Sequence, residues 1–390
     1  METDSLKRFA GFFRELFGPH NKAVAVRSPG RVNLIGEHTD YNEGFVLPAA
    51  VDKAAHFIVA PGNRGEYRIY AADLDDHFSC DAGSVSKSEK SWPNYLLGII
   101  SELRRDGHTI PGCDVVFGGD VPIGAGMSSS AAVECGFAFA LNELFHLGLS
   151  KLELARLGQR AENRFVGVQC GIMDQFVNIF GEERKVLKID CRTLEFEYFP
   201  VERTDLNIVL CETESKRSLA SSEYNIRRQQ CEAGVAVLRK RDPEIRTLRD
   251  VSEEFLAAHR SEMDAIVFRR CLYVVHENAR VLAACQDLER NDFRSFGQKM
   301  YRSHAGLRDD YQVSSPDLDF LVEATSCIEG VLGSRMMGAG FGGCTINLVE
   351  HDHVAAFTEE IREQYRHRSG KPNNVYITRI ESGTAVVPLD

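Results

Sequence analysis

The 390-residue sequence lacks the usual markers of a secreted, membrane or zinc-binding protein. Its eleven cysteines are odd in number and scattered, and none are spaced Cys-x-x-Cys, which argues against a disulfide framework and against zinc. No apolar run approaches the ~20 residues that span a bilayer. The first eight residues lack the basic start and apolar stretch of a signal peptide. The sequence therefore predicts a cytoplasmic protein with free thiols.

A surplus of basic residues is also missing. Lys and Arg total 46 against 57 Asp and Glu, and the formal net charge is −11, which argues against nucleic acid or an anionic membrane as a partner. A chain of 390 residues is longer than one hydrophobic core usually serves, so we expect two domains. Predicted strands and helices alternate irregularly, which favours the α+β class. A rise in helix content places the boundary near residue 200, giving domains 1–200 and 201–390.

The most informative segment present is residues 30–44, which read GRVNLIGEHTDYNEG. It combines a cation, carboxylates, an imidazole and a phenol with apolar anchors, and its glycines permit sharp turns. Such a density of donors and acceptors suits a small ligand covered in hydroxyl groups, such as a sugar. A metal cluster around His38 is disfavoured because the spacing is too tight and no distant His or Cys set joins it.

A second segment, residues 121–132, reads VPIGAGMSSSAA and opens a predicted helix over 128–147. Glycines let the backbone approach a ligand, and a helix N-terminus offers unpaired N–H groups to phosphate. The segment is not a Walker A motif, because no Lys stands at the required place. Serines that only cap the helix are an equally good interpretation of this segment alone.

A third segment, residues 338–343, reads GAGFGG and formally matches the dinucleotide-binding pattern. That pattern requires a helix after the glycines. Here the next residues, CTINLV, are typical of a strand. We therefore predict a glycine turn between two strands, and its functional version would lie close to the phosphate site.

Several single residues have both a structural and a functional interpretation. Asp174 follows a glycine among apolar neighbours, so it is either a helix cap or a positioned base. Arg31 is either a surface ion-pair partner or part of a site. For Glu162 taken alone a solvated helix face is the better interpretation, and Trp92, the only tryptophan, is more typical of a core than of a base-stacking platform.

Taken together, the motifs resemble the galactokinase family within the sugar and metabolite kinases of the GHMP superfamily. Three superfamily motifs occur in order at 30–41, 122–132 and 338–343, and Glu-His-Thr-Asp-Tyr in the first narrows the likeness to galactokinases. GIMDQ at 171–175 and SSEYN at 221–225 also look like segments of that family. The resemblance implies two α+β domains with the active site in the cleft between them.

The resemblance also implies an activity and a set of site residues. The γ-phosphoryl group of ATP would pass to the anomeric hydroxyl of α-D-galactose, giving galactose 1-phosphate, the first step of galactose catabolism. Asp174 would be the catalytic base and Arg31 the neighbouring cation. The sugar would be held by Glu37, His38, Asp40 and Tyr224. The nucleotide phosphates would be held by Gly124, Ala125, Gly126, Met127, Ser128, Ser129 and Ser130. Mg²⁺ would be carried by Ser130 and Glu162.

Two alternatives share these motifs. An N-acetylgalactosamine kinase would differ only in the room beside the sugar C2 position, which one sequence does not show. A non-catalytic sensor of galactose and ATP is disfavoured for two reasons. The glycine-serine segment within 121–132, called the phosphate loop below, is complete, and Asp174, Arg31 and Glu162 are all present. The resemblance further implies a monomer with galactose and ATP as its partners.

Overall fold

The computed structural model describes residues 2–20, 22–62, 64–122, 124–213 and 220–389. Its largest sheet has six strands in the order β13-β1-β3-β6-β4-β5. They are β1 (Val24–Asn33), β3 (Pro48–Pro61), β4 (Glu66–Ala71), β5 (Asp76–Asp81), β6 (Cys113–Gly119) and β13 (Ala385–Val387). Neighbouring strands are antiparallel except β4 and β6, which are parallel.

Helices cover both faces of this sheet. Successive side chains along a strand point to opposite faces, and here both faces carry apolar side chains that pack against helices. On β3, Phe57 points into one core and its neighbour Ile58 into another. The Ile58 face is covered by α1 (Glu2–Phe17), which buries Phe9 and Phe13. The Phe57 face is covered by α2 (Pro93–Arg105), α3 (Ser129–Phe145), α4 (Lys151–Arg160) and α5 (Met173–Phe180).

The second half of the chain builds a four-stranded antiparallel sheet in the order β10-β11-β9-β12. Its strands are β9 (Leu206–Thr213), β10 (Val331–Met337), β11 (Gly343–Glu350) and β12 (Val375–Thr378). Around it lie α6 (Ala220–Leu238), α7 (Glu253–Ala258), α8 (Ala265–Glu289), α9 (Phe293–Gly306), α10 (Pro316–Thr325) and α11 (Val354–Ser369). A small sheet adds β2 (Phe45–Val46), β7 (Lys185–Asp190) and β8 (Phe196–Pro200). The predicted α+β class is confirmed.

One apolar core joins the two halves of the chain. Leu34 and Ile35, the apolar residues of the first motif, pack in the same cluster as Phe296 and Ile346 from the second half. The final strand also returns to the first sheet, where Val387 pairs with Ala25. The polar residues of the first motif are therefore fixed where the two halves meet.

Candidate active site

A cavity of about 270 Å³ opens at this junction, and it collects nearly all of the predicted site residues. Its wall includes Arg31, Glu37, His38, Asp40, Glu162, Asp174 and Tyr224. The phosphate loop contributes Gly124, Gly126, Met127, Ser128, Ser129 and Ser130. Ala125 does not line the cavity but is fully buried in the core between the halves, where it anchors the loop.

Asp174 and Arg31 form a bidentate ion pair at the centre of the cavity. Arg31 Nε and Nη2 donate to the two Asp174 carboxylate oxygens at 2.7 and 2.6 Å. Asp174 lies in the first turn of α5, where the helix dipole favours a negative charge. Arg31 follows an irregularity in the pairing of β1 with β3, and its side chain is almost fully buried. The pair therefore has a fixed geometry with little freedom to rotate.

The phosphate loop contacts this ion pair directly. Gly124 and Gly126 have φ of 84° and 81°, a backbone region that favours glycine. Ser128 also has a left-handed φ of 57°, and its side chain does not cap α3. Its hydroxyl instead donates to Asp174 Oδ2 at 2.5 Å. The capping interpretation is thus wrong for Ser128, and the start of α3 faces the cavity.

Glu37 is held by a residue that the sequence analysis did not single out. Arg335 on β10 is fully buried, and its guanidinium lies 3.1 Å from Glu37 Oε1. The Gly338 amide donates to the same oxygen at 2.8 Å. Burial alone would raise the pKa of Glu37, but Arg335, Arg31 and the Gly338 amide together lower it below its usual value. The predicted glycine turn between β10 and β11 is present, and its Gly338 amide holds this side chain of the first motif.

Aromatic rings close one side of the cavity around His38. Tyr224 on α6 lies 5.4 Å from the His38 ring and 5.0 Å from Tyr41, measured between ring centroids. Burial lowers the pKa of His38 to about 4, so its ring is neutral at physiological pH. Burial also raises the pKa of Tyr224 well above its usual value, so the phenol keeps its proton. This wall offers neutral hydrogen-bonding groups beside apolar ring faces.

Asp40 approaches the Asp174 helix closely. A side chain at Gly171 would collide with the Asp40 carboxylate, so glycine is required there for this approach. Burial, and next the charge of Asp174, raise the pKa of Asp40 to about 7. Asp40 is therefore partly protonated at neutral pH unless a ligand supplies hydrogen bonds to it.

Glu162 is another buried carboxylate of the cavity wall, so the interpretation of it as part of a solvated helix face is wrong. It accepts a hydrogen bond from Gln175 Nε2 at 2.8 Å and contacts Cys170 Sγ at 3.5 Å. Burial and the charge of Asp174 raise the pKa of Glu162. Ser130 also hydrogen-bonds to it, and within the described residues Glu162 has no ion-pair partner.

A second cavity, of about 390 Å³, shares Ser129 and Ser130 with the first. Its lining is mainly apolar and includes Trp92, Tyr95 and Phe117. Trp92 packs against the core beneath the sheet, as its core interpretation predicts, and it also lines this cavity. The indole N–H donates to Asp76 Oδ2 at 2.9 Å, which fixes the ring.

Comparison with known proteins places this geometry in a family. Residues 11–61 match the galactokinase galactose-binding signature, 94–182 match the GHMP kinase N-terminal domain, and 284–367 match the GHMP kinase C-terminal domain. The chain is 46% identical over 380 residues to a galactokinase of Roseiflexus sp. (strain RS-1), covering 97% of both chains. The chain belongs to the galactokinase family. The predictions of family and of galactokinase activity are thereby confirmed, and membership implies galactose and ATP as substrates.

Solved structures agree with this assignment. The crystal structure of Lactococcus lactis galactokinase complexed with galactose superposes with a TM-score of 0.94 at 36% identity, covering 98% of this chain and 100% of that one. Mevalonate kinase of Methanococcus jannaschii gives a TM-score of 0.63 at 18% identity, covering 93% of this chain and 100% of that one, which shows a shared fold. The predicted GHMP-kinase-like fold is confirmed. None of the helices in the described ranges is long and apolar enough to cross a membrane.

Proposed function

We propose that this galactokinase transfers the γ-phosphoryl group of ATP to the anomeric hydroxyl of α-D-galactose, with Asp174 as the base. The observation that carries the proposal is the Asp174 carboxylate, which is held by Arg31 and by the phosphate-loop Ser128 in one cavity. Sugar-motif residues line the same cavity. Phosphoryl transfer depends mainly on this kind of positioning and on charge stabilisation.

Each group has a defined part in the proposed reaction. Asp174 accepts the proton of the attacking hydroxyl, while Arg31 offsets the negative charge that develops between sugar and phosphate. Glu37, His38, Asp40 and Tyr224 bind the other hydroxyls and orient the sugar. Backbone amides of the loop from Gly124 to Ser130 and the N-terminus of α3 bind the nucleotide phosphates.

The residues around Glu162 fit a magnesium ion. Glu162 and the Ser130 hydroxyl offer oxygen ligands, and Mg²⁺ takes few protein ligands because it retains several waters. Burial and the charge of Asp174 raise the pKa of Glu162, and no ion pair within the described residues offsets its charge. We propose Ser130 and Glu162 as the ligands. When bound, the ion would neutralise charge on the nucleotide phosphates.

The second cavity suits the adenine ring of ATP, because it is mainly apolar and meets the first cavity at Ser129 and Ser130. Replacing Trp92 with Ala is expected to raise the KM for ATP roughly ten-fold, since stacking on an aromatic ring contributes about 1–3 kcal/mol per base. The KM for galactose should change little. Steady-state kinetics with each substrate varied in turn measures this. Trp92→Phe, which keeps a ring, is the control, and an unchanged KM for ATP in Trp92→Ala would remove Trp92 from the site.

Galactose binding is expected to tighten as pH rises. With a pKa of about 7, Asp40 is protonated at low pH and cannot accept hydrogen bonds at both oxygens. If galactose hydroxyls donate to the carboxylate, affinity increases up to about pH 7 and levels off above it. Titration calorimetry without nucleotide, at about pH 5.5, 6.5, 7.5 and 8.5, measures this. Asp40→Asn should bind weakly with a flat profile, and tighter binding at acid pH would contradict the role of Asp40.

A panel of free sugars with ATP and Mg²⁺ tests the proposed function. We expect ADP release with galactose and a product phosphorylated at C1, as read by ³¹P NMR. Faster turnover of N-acetylgalactosamine would favour the alternative kinase, and sugar binding without ADP release would favour a sensor.

The remaining assignments are also proposals. We propose a division near residue 200 into domains 1–200 and 201–390, with the last strand returning to the first sheet. We further propose a cytoplasmic monomer that binds neither nucleic acid nor a membrane, consistent with the net charge of −11.

A further inference from the structure

A row of four hydrogen-bonding side chains leads from the second half of the chain to His38. His38 Nδ1 lies 2.8 Å from the Tyr41 hydroxyl, which lies 2.8 Å from the Tyr311 hydroxyl. Tyr311 in turn lies 3.2 Å from Cys231 Sγ. His38, Tyr311 and Cys231 are buried, and Tyr41 is half-buried. Water therefore has little access to the Tyr311–Cys231 end of the row.

The far end of the row is rigid. Tyr311 ends a helical turn that follows α9, and its backbone carbonyl accepts a hydrogen bond from Arg227 Nε at 2.9 Å. Its ring packs on Tyr273 at 4.7 Å between centroids. Cys231 is fixed within α6. A rigid Tyr311 hydroxyl therefore gives the Tyr41 hydroxyl a hydrogen-bond partner in a fixed position.

All members of the row are neutral at physiological pH. Burial raises the pKa of Tyr41 and of Tyr311 well above the usual value, raises that of Cys231 to about 11, and lowers that of His38 to about 4. Each hydroxyl has one proton to donate, so the protons must all point along the row in one direction. They point either from Cys231 towards His38 or from His38 towards Cys231.

Acceptor strength favours the first direction. A row that ends on His38 delivers its last proton to an imidazole nitrogen, whereas the reverse row ends on a thiol sulfur, a weak acceptor. The other ring nitrogen, Nε2, is buried and has no hydrogen-bond partner among the described residues, and His38 lines the first cavity. With Nδ1 accepting from Tyr41, the ring proton lies on Nε2, where no protein group uses it within the described part of the chain.

We propose that Tyr41 and Tyr311 are positioning residues that hold His38 in the Nε2–H tautomer, so that it presents a hydrogen-bond donor to one sugar oxygen. The inference rests on the proposed role of His38 in sugar binding. It makes the specificity at one sugar position depend on Tyr311, which belongs to the other half of the chain. The ligand group recognised is an acceptor oxygen, so a sugar that lacks it is rejected and one that carries fluorine there is partly tolerated.

Nitrogen NMR of the ligand-free protein reads the tautomer directly. With ¹⁵N-labelled histidine, and the His38 signals assigned by their loss in His38→Gln, the wild type should show a protonated Nε2 and an unprotonated Nδ1. Tyr41→Phe should give averaged shifts of both tautomers. A protonated Nδ1 in the wild type would overturn the proposal. This readout does not depend on turnover, so it decides the tautomer even if the sugar panel refutes the proposed function.

Kinetics with modified sugars tests the positioning role. Tyr41→Phe should weaken the hydrogen bond that His38 donates to the sugar. The KM for galactose should therefore rise roughly three- to ten-fold, with kcat nearly unchanged. Tyr311→Phe should show a smaller rise in KM, because Tyr41 retains its proton. The Tyr41→Phe effect should vanish for the one deoxygalactose that lacks the oxygen bound by His38, and remain for the deoxy sugars modified elsewhere.

The control is Tyr67→Phe, which also removes the hydroxyl of a buried tyrosine with two partners. Tyr67 donates to the Ile110 carbonyl at 2.7 Å and accepts from Arg104 Nη2 at 3.3 Å, but it lies in the core beneath the large sheet. It should leave the KM for galactose unchanged. An equal loss of activity on every deoxy sugar, or a fall in kcat with KM constant, would show that Tyr41 is merely structural and would overturn the proposal.

Discussion

Replacing Asp174 with Asn is expected to lower kcat by roughly 10²- to 10⁴-fold, the usual effect of losing a general base. The amide has nearly the same shape and still offers Arg31 an oxygen, but it cannot take the proton of the attacking hydroxyl. The KM for galactose and for ATP should change much less than kcat. Coupled measurement of ADP release, with each substrate varied, gives both constants.

Asp264→Asn is a matched control for this variant. Asp264 caps the start of α8 by accepting a hydrogen bond from the Ile266 amide at 2.7 Å, and Asn caps a helix equally well. It does not line the cavity, so kcat should be unchanged. A near-normal kcat in Asp174→Asn, with its folding checked by circular dichroism, would remove Asp174 from the catalytic role.

Replacing Arg335 with Met is expected to lower the free energy of unfolding by about 3–5 kcal/mol, because it removes the cation in direct contact with the buried Glu37 charge. Arg335 also donates to the Leu34 and Met336 carbonyls, both at 2.8 Å, and to the Asn33 carbonyl. Those carbonyls would lose their partner as well. Urea unfolding followed by circular dichroism measures the change, and the KM for galactose should rise because Glu37 loses its fixed position.

A double variant separates the charge from the packing. Adding Glu37→Gln to Arg335→Met removes the stranded charge, so the pair should be more stable than the sum of the two single effects predicts. Arg335→Lys keeps a charge but not the planar fork, and should fall between the wild type and Arg335→Met. A loss below about 1 kcal/mol in Arg335→Met would show that the ion pair does not hold the two halves together.

Much of the site was predictable because its chemistry is concentrated in short motifs. The polar cluster of residues 30–44 and the glycine-serine loop are local patterns, so the sequence indicated both binding segments. The place of Asp174 in the cavity was predictable because GIMDQ at 171–175 resembles a galactokinase segment. The α+β class followed from irregular alternation of strands and helices. These signals lie within a few residues of one another and need no knowledge of the tertiary structure.

The rest depends on contacts between residues far apart in the chain. Arg335 stands in an ordinary strand, and nothing nearby in sequence shows that it binds Glu37 some 300 positions earlier. Tyr311 meets Tyr41 only because α9 returns to the first motif. The interpretation of Glu162 as solvated failed because its burial depends on Gln175 and Cys170 from another segment. Even so, the GAGFGG turn was the one indication that β10 belonged near the site.

A crystal structure of the wild-type protein with galactose, Mg²⁺ and a non-hydrolysable ATP analogue is the most direct test of the central claim. We predict that the anomeric oxygen lies about 2.6–3.2 Å from an Asp174 carboxylate oxygen, in line with the terminal phosphorus. A sugar that turns a different hydroxyl towards Asp174, or binds beyond hydrogen-bonding reach of it, would contradict the proposed mechanism.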